Sequence, residues 1–269
     1  MLLNVDHVTR YRYGAPVRAV VQSHRLTPSA FDGQKLRDWS VTVTDGTPGG
    51  SFRDGAGDLV KGWTVKGPVS EIEVRVLGTV ETIDLAGVLR GHREMVQPEV
   101  YMVDTTPTVA DAALRDLSKA AYGTDGALAA AHRLSAAVAD AIAYRPGATH
   151  AHTTAAEALA LGEGVCQDHA HAMIACARFQ GLPARYVSGY LFATADGTQH
   201  EAAHAWAEVF VAGLGWVGFD PANRCCPDER YIRLGSGLDA QDAAPIRGIA
   251  RGNGEETLDV TVAVQSLQQ

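Results

Sequence analysis

Through the first ~85 residues, apolar side chains recur at every second position. WSVTVTD (39–45), LVKGWTVKG (59–67) and EIEVRVLGTVET (71–82) all alternate in this way and are rich in Val and Thr. Such a period gives a strand one apolar face and one polar face. Glycine-containing turns, Asp45-Gly46 and Pro48-Gly49-Gly50, lie between these runs. Each strand has one face to bury, so the pattern predicts a small antiparallel β-sandwich.

The period changes after GHREMVQPEVYMVDTTP (91–107), a connection that contains proline. TVADAALRDLSKAAYG (108–123), ALAAAHRLSAAVADAIAY (127–144) and TTAAEALALGEG (153–164) read as three helices. Thr108 with Asp111, and Thr154 with Glu157, have the spacing of helix-start caps, while Gly123 and Pro146-Gly147 stop the first two. A fourth helix runs from about Val165 to Gln180, with Ala170, Met173, Ile174 and Ala177 on one face and Gly181 and Pro183 as its stop. Strand patterns return at 184–192, 202–211 and 215–221. The chain from 222 reads as irregular until a last strand at 257–265. This is an α+β organisation, divided into a β-sandwich over 1–100 and a mixed domain over 101–269.

Composition excludes some functions. A net charge of −8 disfavours nucleic acid and anionic membrane surfaces as partners, since both repel an acidic protein. No apolar run reaches the length of a membrane span, and MLLNVDHVTRYRYG lacks the apolar stretch of a signal peptide. A cytoplasmic location is the expectation. Cys166, Cys176, Cys225 and Cys226 are too few for a disulfide framework in 269 residues, so reduced thiols are expected.

The candidate chemistry centres on GEGVCQDHAHAM (162–173). Cys166 opens a helix, where unpaired backbone N–H groups and the helix dipole favour a thiolate. A thiolate nucleophile needs a base and a group that orients the base. The hairpin at 202–221 offers both. With pairing centred near 212, His204 lies opposite Asp220, and because both positions are even a two-residue slip keeps them on one face. Gln167 and Asp168 are candidates for capping the helix or lining the site, and Trp206 for walling the cleft or filling the core.

GVCQDHAHAMIACARFQGLPARYVSGYL, HAWAEVFV and GWVGFDPAN together resemble the three motif blocks of the bacterial transglutaminase-like superfamily, whose members are often described as cysteine proteases. YRPGATHAHTTAAEALALGEG resembles the family's lead-in to its cysteine, and the β-rich start with YRYGAPV resembles its amino-terminal domain. The resemblance implies a papain-like core with Cys166 as nucleophile, His204 as base and Asp220 as orienting acid. It implies acyl transfer from an amide or peptide bond through a thioester, with a peptide or protein as substrate, resolved by water or by an amine.

Two other classes remain open at this point: a peptide-binding module without turnover, and a metal-dependent hydrolase. Seven of ten histidines fall between 132 and 204. His169 and His171 are two apart on a helix and diverge by about 200°, so they do not share one ion readily. No metal or other cofactor is expected. Cys225-Cys226 lacks a second ligand cluster, and Cys176 reads as a small packed hydrophobe.

Overall fold

The structure is a computed structural model that describes residues 1–192 and 203–267. Ala202, the first residue of the expected strand 202–211, lies outside the described residues, as does His200.

Six antiparallel strands make the first sheet: β1 (Leu2–His24), β2 (Gln34–Val43), β3 (Gly46–Arg53), β4 (Leu59–Thr82), β11 (Ile246–Arg251) and β12 (Glu256–Ser266). The runs 59–67 and 71–82 are one strand, β4, rather than two. β1 and β4 pair along most of their length, and each serves two neighbours. The first half of β1 pairs with β12 and its second half with β11, while β4 pairs with β3 at one end and β2 at the other. Register shifts between Arg12 and Ala19 mark the bend. Before it Leu3, Val5, His7 and Thr9 point inward; after it Val20, Gln22 and His24 do, so the buried positions change from odd to even. An irregularity that inserts residues on one strand does this. Both halves feed one core, with Leu3, Val5, Val20, Trp63, Ile72 and Val76 among its members.

Between these strands lie the second sheet and four helices. The sheet order is β10 (Tyr231–Gly237), β7 (Ala184–Leu191), β8 (Ala203–Val211), β9 (Gly215–Phe219), all antiparallel. The helices are α1 (Ala112–Ala120), α2 (Ala127–Ala141), α3 (Ala155–Leu161) and α4 (Cys166–Phe179). A short parallel pair, β5 (Ala143–Tyr144) and β6 (Glu163–Gly164), pins the segment entering α4. Thr154 caps α3 as expected, in a reciprocal box with Glu157. At α1 the cap is Asp111 alone, which accepts from the Leu114 N–H at 2.9 Å, while Thr108 closes a preceding turn with Thr105. Every residue of α4 from Asp168 to Arg178 is buried, not one face only. Its alanines explain this: small side chains let α1, α2 and α3 pack on one side and β7 and β8 on the other.

Strand pairing ties the end of the chain back to its start. β10 and β11 form within the stretch read as irregular, and β11 and β12 complete the first sheet by covering the edge of β1. An uncovered edge that long invites non-native pairing. The two sheets also share interior: Tyr190, Ile232 and Leu234 enter the core of the first. Among the described residues no helix is long and apolar enough to cross a membrane.

Candidate active site

α3 ends at Gly162 with φ 71°, a left-handed conformation that glycine adopts without strain. Two residues later Gly164 lies so close to Asp168 that a Cβ there would come within 2.8 Å of its side chain. Together they bring the chain into α4 with Cys166 as the first helical residue. Cys166 is half-buried and a free thiol. As first residues of the helix, Cys166 and Gln167 have backbone N–H groups with no carbonyl one turn earlier to bond.

Asp168 fixes this turn. Its Oδ2 accepts from the Val165 N–H at 2.8 Å and from the Thr149 hydroxyl at 2.6 Å, and the residue is fully buried. Gln167 does not cap the helix. Its amide donates to the Ala151 carbonyl at 3.1 Å and ties the 145–152 loop to the helix start.

β8 and β9 bring the base and acid together. Their register pairs Ala207 with Phe219 and Val211 with Gly215, so the hairpin is centred at 213. Continued one step, Trp206 is opposite Asp220 and His204 lies two residues away. The slip preserves the face, and His204 Nε2 stands 2.6 Å from Asp220 Oδ2. An ionised carboxylate only accepts, so Nε2 carries the hydrogen and donates. Nδ1 is then the nitrogen left for the sulfur. Burial alone would lower the imidazole, but hydrogen bonds to Asp220 and Cys166 and the charge of both partners raise it to about 10. Asp220 is held below the usual carboxylate range: burial opposes ionisation, and bonds from His204, Asn223 and Tyr231 outweigh it.

Trp206 is 2% exposed and stacks on the imidazole at 6.4 Å and 26°, so it backs His204 within the packed interior. The histidines of α4 are used internally. His169 has its ring nitrogens 2.9 Å from the Val165 carbonyl and 2.8 Å from that of Ile142, and His171 Nε2 accepts from the Ala240 N–H at 3.1 Å. Among the described residues no three His, Cys, Asp or Glu side chains are grouped to hold a metal ion.

Residues 115–221 match the model of the transglutaminase-like superfamily, and residues 3–81 match that of the bacterial transglutaminase-like N-terminal region. "Uncharacterized protein ML0607" of Mycobacterium leprae is 31% identical, over 98% of this chain and 99% of its own length. "Uncharacterized protein Rv2569c" of Mycobacterium tuberculosis is 30% identical over 97% and 91%. The chain belongs to the transglutaminase-like superfamily. A solved structure titled "Putative Cysteine Protease from Cytophaga hutchinsonii" shares the fold of this superfamily member, with a TM-score of 0.74 at 21% identity over 100% of this chain and 91% of the other.

Two site residues escaped the sequence reading. Asn223 Nδ2 donates to Asp220 Oδ2 at 2.7 Å, and the Tyr231 hydroxyl reaches the same oxygen at 2.8 Å. Asn223 had a signal, since a turn after Asp-Pro places a residue three positions on beside the aspartate. Tyr231 had none, because only the pairing of β10 with β7 brings it there.

Proposed function

We propose that this protein is a thiol enzyme performing acyl transfer on an amide or peptide bond through Cys166, His204 and Asp220. The observation that carries the reading is the imidazole of His204, bonded to a buried aspartate and made more basic by that aspartate and by Cys166, the first residue of a helix. A basic imidazole is the partner that takes the thiol proton and keeps sulfur as thiolate.

The thiolate attacks the carbonyl of a glutamine side chain or peptide bond. The Cys166 N–H donates to the developing oxyanion. As the carbon–nitrogen bond breaks, the imidazolium of His204 gives its proton to the leaving nitrogen, which departs as ammonia or an amine. The acyl-thioester is then attacked by water or by an amine, His204 removes the attacker's proton, and the thiolate is released. Asp220 stays ionised throughout and holds the ring. Water is always present as acceptor, so hydrolysis of a peptide or protein is the reading we favour.

The test is incubation with glutamine-containing peptides, with and without a primary amine, following ammonia release and peptide mass. Ammonia with a mass gain of one unit, about 1 Da, marks hydrolysis of the side chain; addition of the amine marks transfer; shorter fragments mark proteolysis. Cys166→Ala should abolish all three. Turnover that survives this substitution refutes the assignment.

A further inference from the structure

We propose that Cys225, a second thiol outside the reaction itself, positions the acid of the triad through Tyr231. The proposal rests on the assignment of Asp220 above. The Tyr231 hydroxyl lies 2.8 Å from Asp220 Oδ2 and 3.3 Å from Cys225 Sγ. A carboxylate cannot donate, so the Tyr231 O–H points at Asp220 and its oxygen accepts the S–H of Cys225. The result is a one-way chain from Cys225 to Tyr231 to Asp220, which meets His204 and, beyond it, Cys166. A thiol stands at each end.

The backbone holds the outer thiol in register. Asp220 and Cys225 exchange N–H···O bonds of 2.8 and 3.2 Å across a tight loop, with Arg224 at φ 53°. The Tyr231 ring packs edge-on against Trp206 at 5.5 Å. The titratable groups facing this chain are His204 from β8, Asp220 at the end of β9, Cys226 beside Cys225, and the Asp228–Arg230 pair leading into β10. Burial pushes the Cys225 thiol up, and Asp220 pushes it further, against the bond to Tyr231; the group therefore stays protonated and able to donate. Cys225 is half-buried and lines an open depression with His132, Phe219, Arg224 and Cys226, none of them a reacting residue. The outer end of the chain is thus open to solvent on its own side.

The experiment is the pH dependence of Cys166 alkylation by iodoacetamide, read by peptide mass mapping, in wild type, Tyr231→Phe, Cys225→Ala and Cys225→Ser. It needs no substrate, so a wild type without turnover would sink the proposed function and leave this test intact. Tyr231→Phe keeps the ring and removes one donor from Asp220, which raises that carboxyl. The acid limb of the profile should move to higher pH by about half a unit or more. Cys225→Ala should move it in the same direction by less, and Cys225→Ser, which restores an O–H donor, should return it to the wild-type position. A profile identical in all four proteins overturns the proposal. So does a Cys225→Ser that melts and labels like Cys225→Ala, because packing and not donation would then be at work.

Discussion

β8 has a buried ionic cluster at each end of one face, and the two differ in how they are closed. His204 lies at one end, Glu208 at the other, with Trp206 between them. Glu208 accepts from Arg185 at 2.7 Å and from Arg233 at 2.9 Å, and Arg233 continues at 2.7 Å to Asp58, in the turn that leads into β4 of the first sheet. Arg185 also bonds Glu94 and lies 4.0 Å over the Trp216 ring. Every charge in that cluster faces an opposite charge supplied by the protein, from three strands of the second sheet and from the connections that carry Asp58 and Glu94. At the His204 end the aspartate is likewise saturated, but the ring it holds turns its other nitrogen toward a half-buried thiol. A buried ion enclosed by its partners fixes a structure; one with an open side is available for chemistry.

Replacing a carboxylate by its amide at each end should separate these roles. Asp220→Asn should lower kcat by about three to four orders of magnitude, because the amide cannot fix the ring in its working tautomer, with a smaller loss in thermal stability than at Glu208, since His204 can shed its proton where a guanidinium cannot. Glu208→Gln leaves two buried guanidinium groups short of a counter-charge and should destabilise the protein by about 3–5 kcal/mol in denaturant unfolding. Loss of stability of equal size in the two variants would erase the distinction.

The clusters should also respond at opposite ends of the pH scale. His204 is raised in the folded protein to about 10 from its ordinary 6.5, so its contribution to stability is whole below about 6.5 and is lost as pH rises through about 10. Glu208 runs the other way. Burial raises it, but Arg233 and Arg185 outweigh this and hold it at about 2, so its contribution is whole above about 4.5 and is lost as pH falls through about 2. Melting temperature against pH should therefore show a decline on the alkaline side that His204→Gln flattens, and a steep acid decline that Glu208→Gln flattens. His7, His24 and His171, each lowered to about 4 chiefly by burial, add a shallower loss between 6.5 and 4 that neither variant removes.

The smallest expected effect tests a residue assigned two roles from the sequence. Gln167→Ala removes one hydrogen bond to the Ala151 carbonyl and should cost about 0.5–1.5 kcal/mol, with kcat and KM changed less than about threefold. A large rise in KM would return Gln167 to the substrate.

Local signals carried far at some positions and nowhere at others. The capping box of Thr154 and Glu157, the glycine stop at 162 and the parity of His204 and Asp220 all depend on residues near one another in sequence, so spacing alone could specify them. The centre of the hairpin, 213 and not 212, changed the pairing without changing the face. Tyr231 lies 40 residues after its strand partner Leu191, and β12 pairs with a strand some 250 residues earlier, so no period in either segment encodes the match.

The four helices, the run of strands β7 to β9, the thiol at a helix start and the base and acid on one hairpin face were determined by the chain itself. They follow from backbone geometry over a few residues, and periods of 3.6 and 2 suffice to express it. The tertiary structure alone decided that the last strands close the first sheet, that Tyr231 reaches the aspartate, and that Arg233 joins Glu208 to Asp58 beside the first sheet. Those contacts are made between segments with no local rule in common, and what selects them is the burial of apolar faces and of charges that must find their partners.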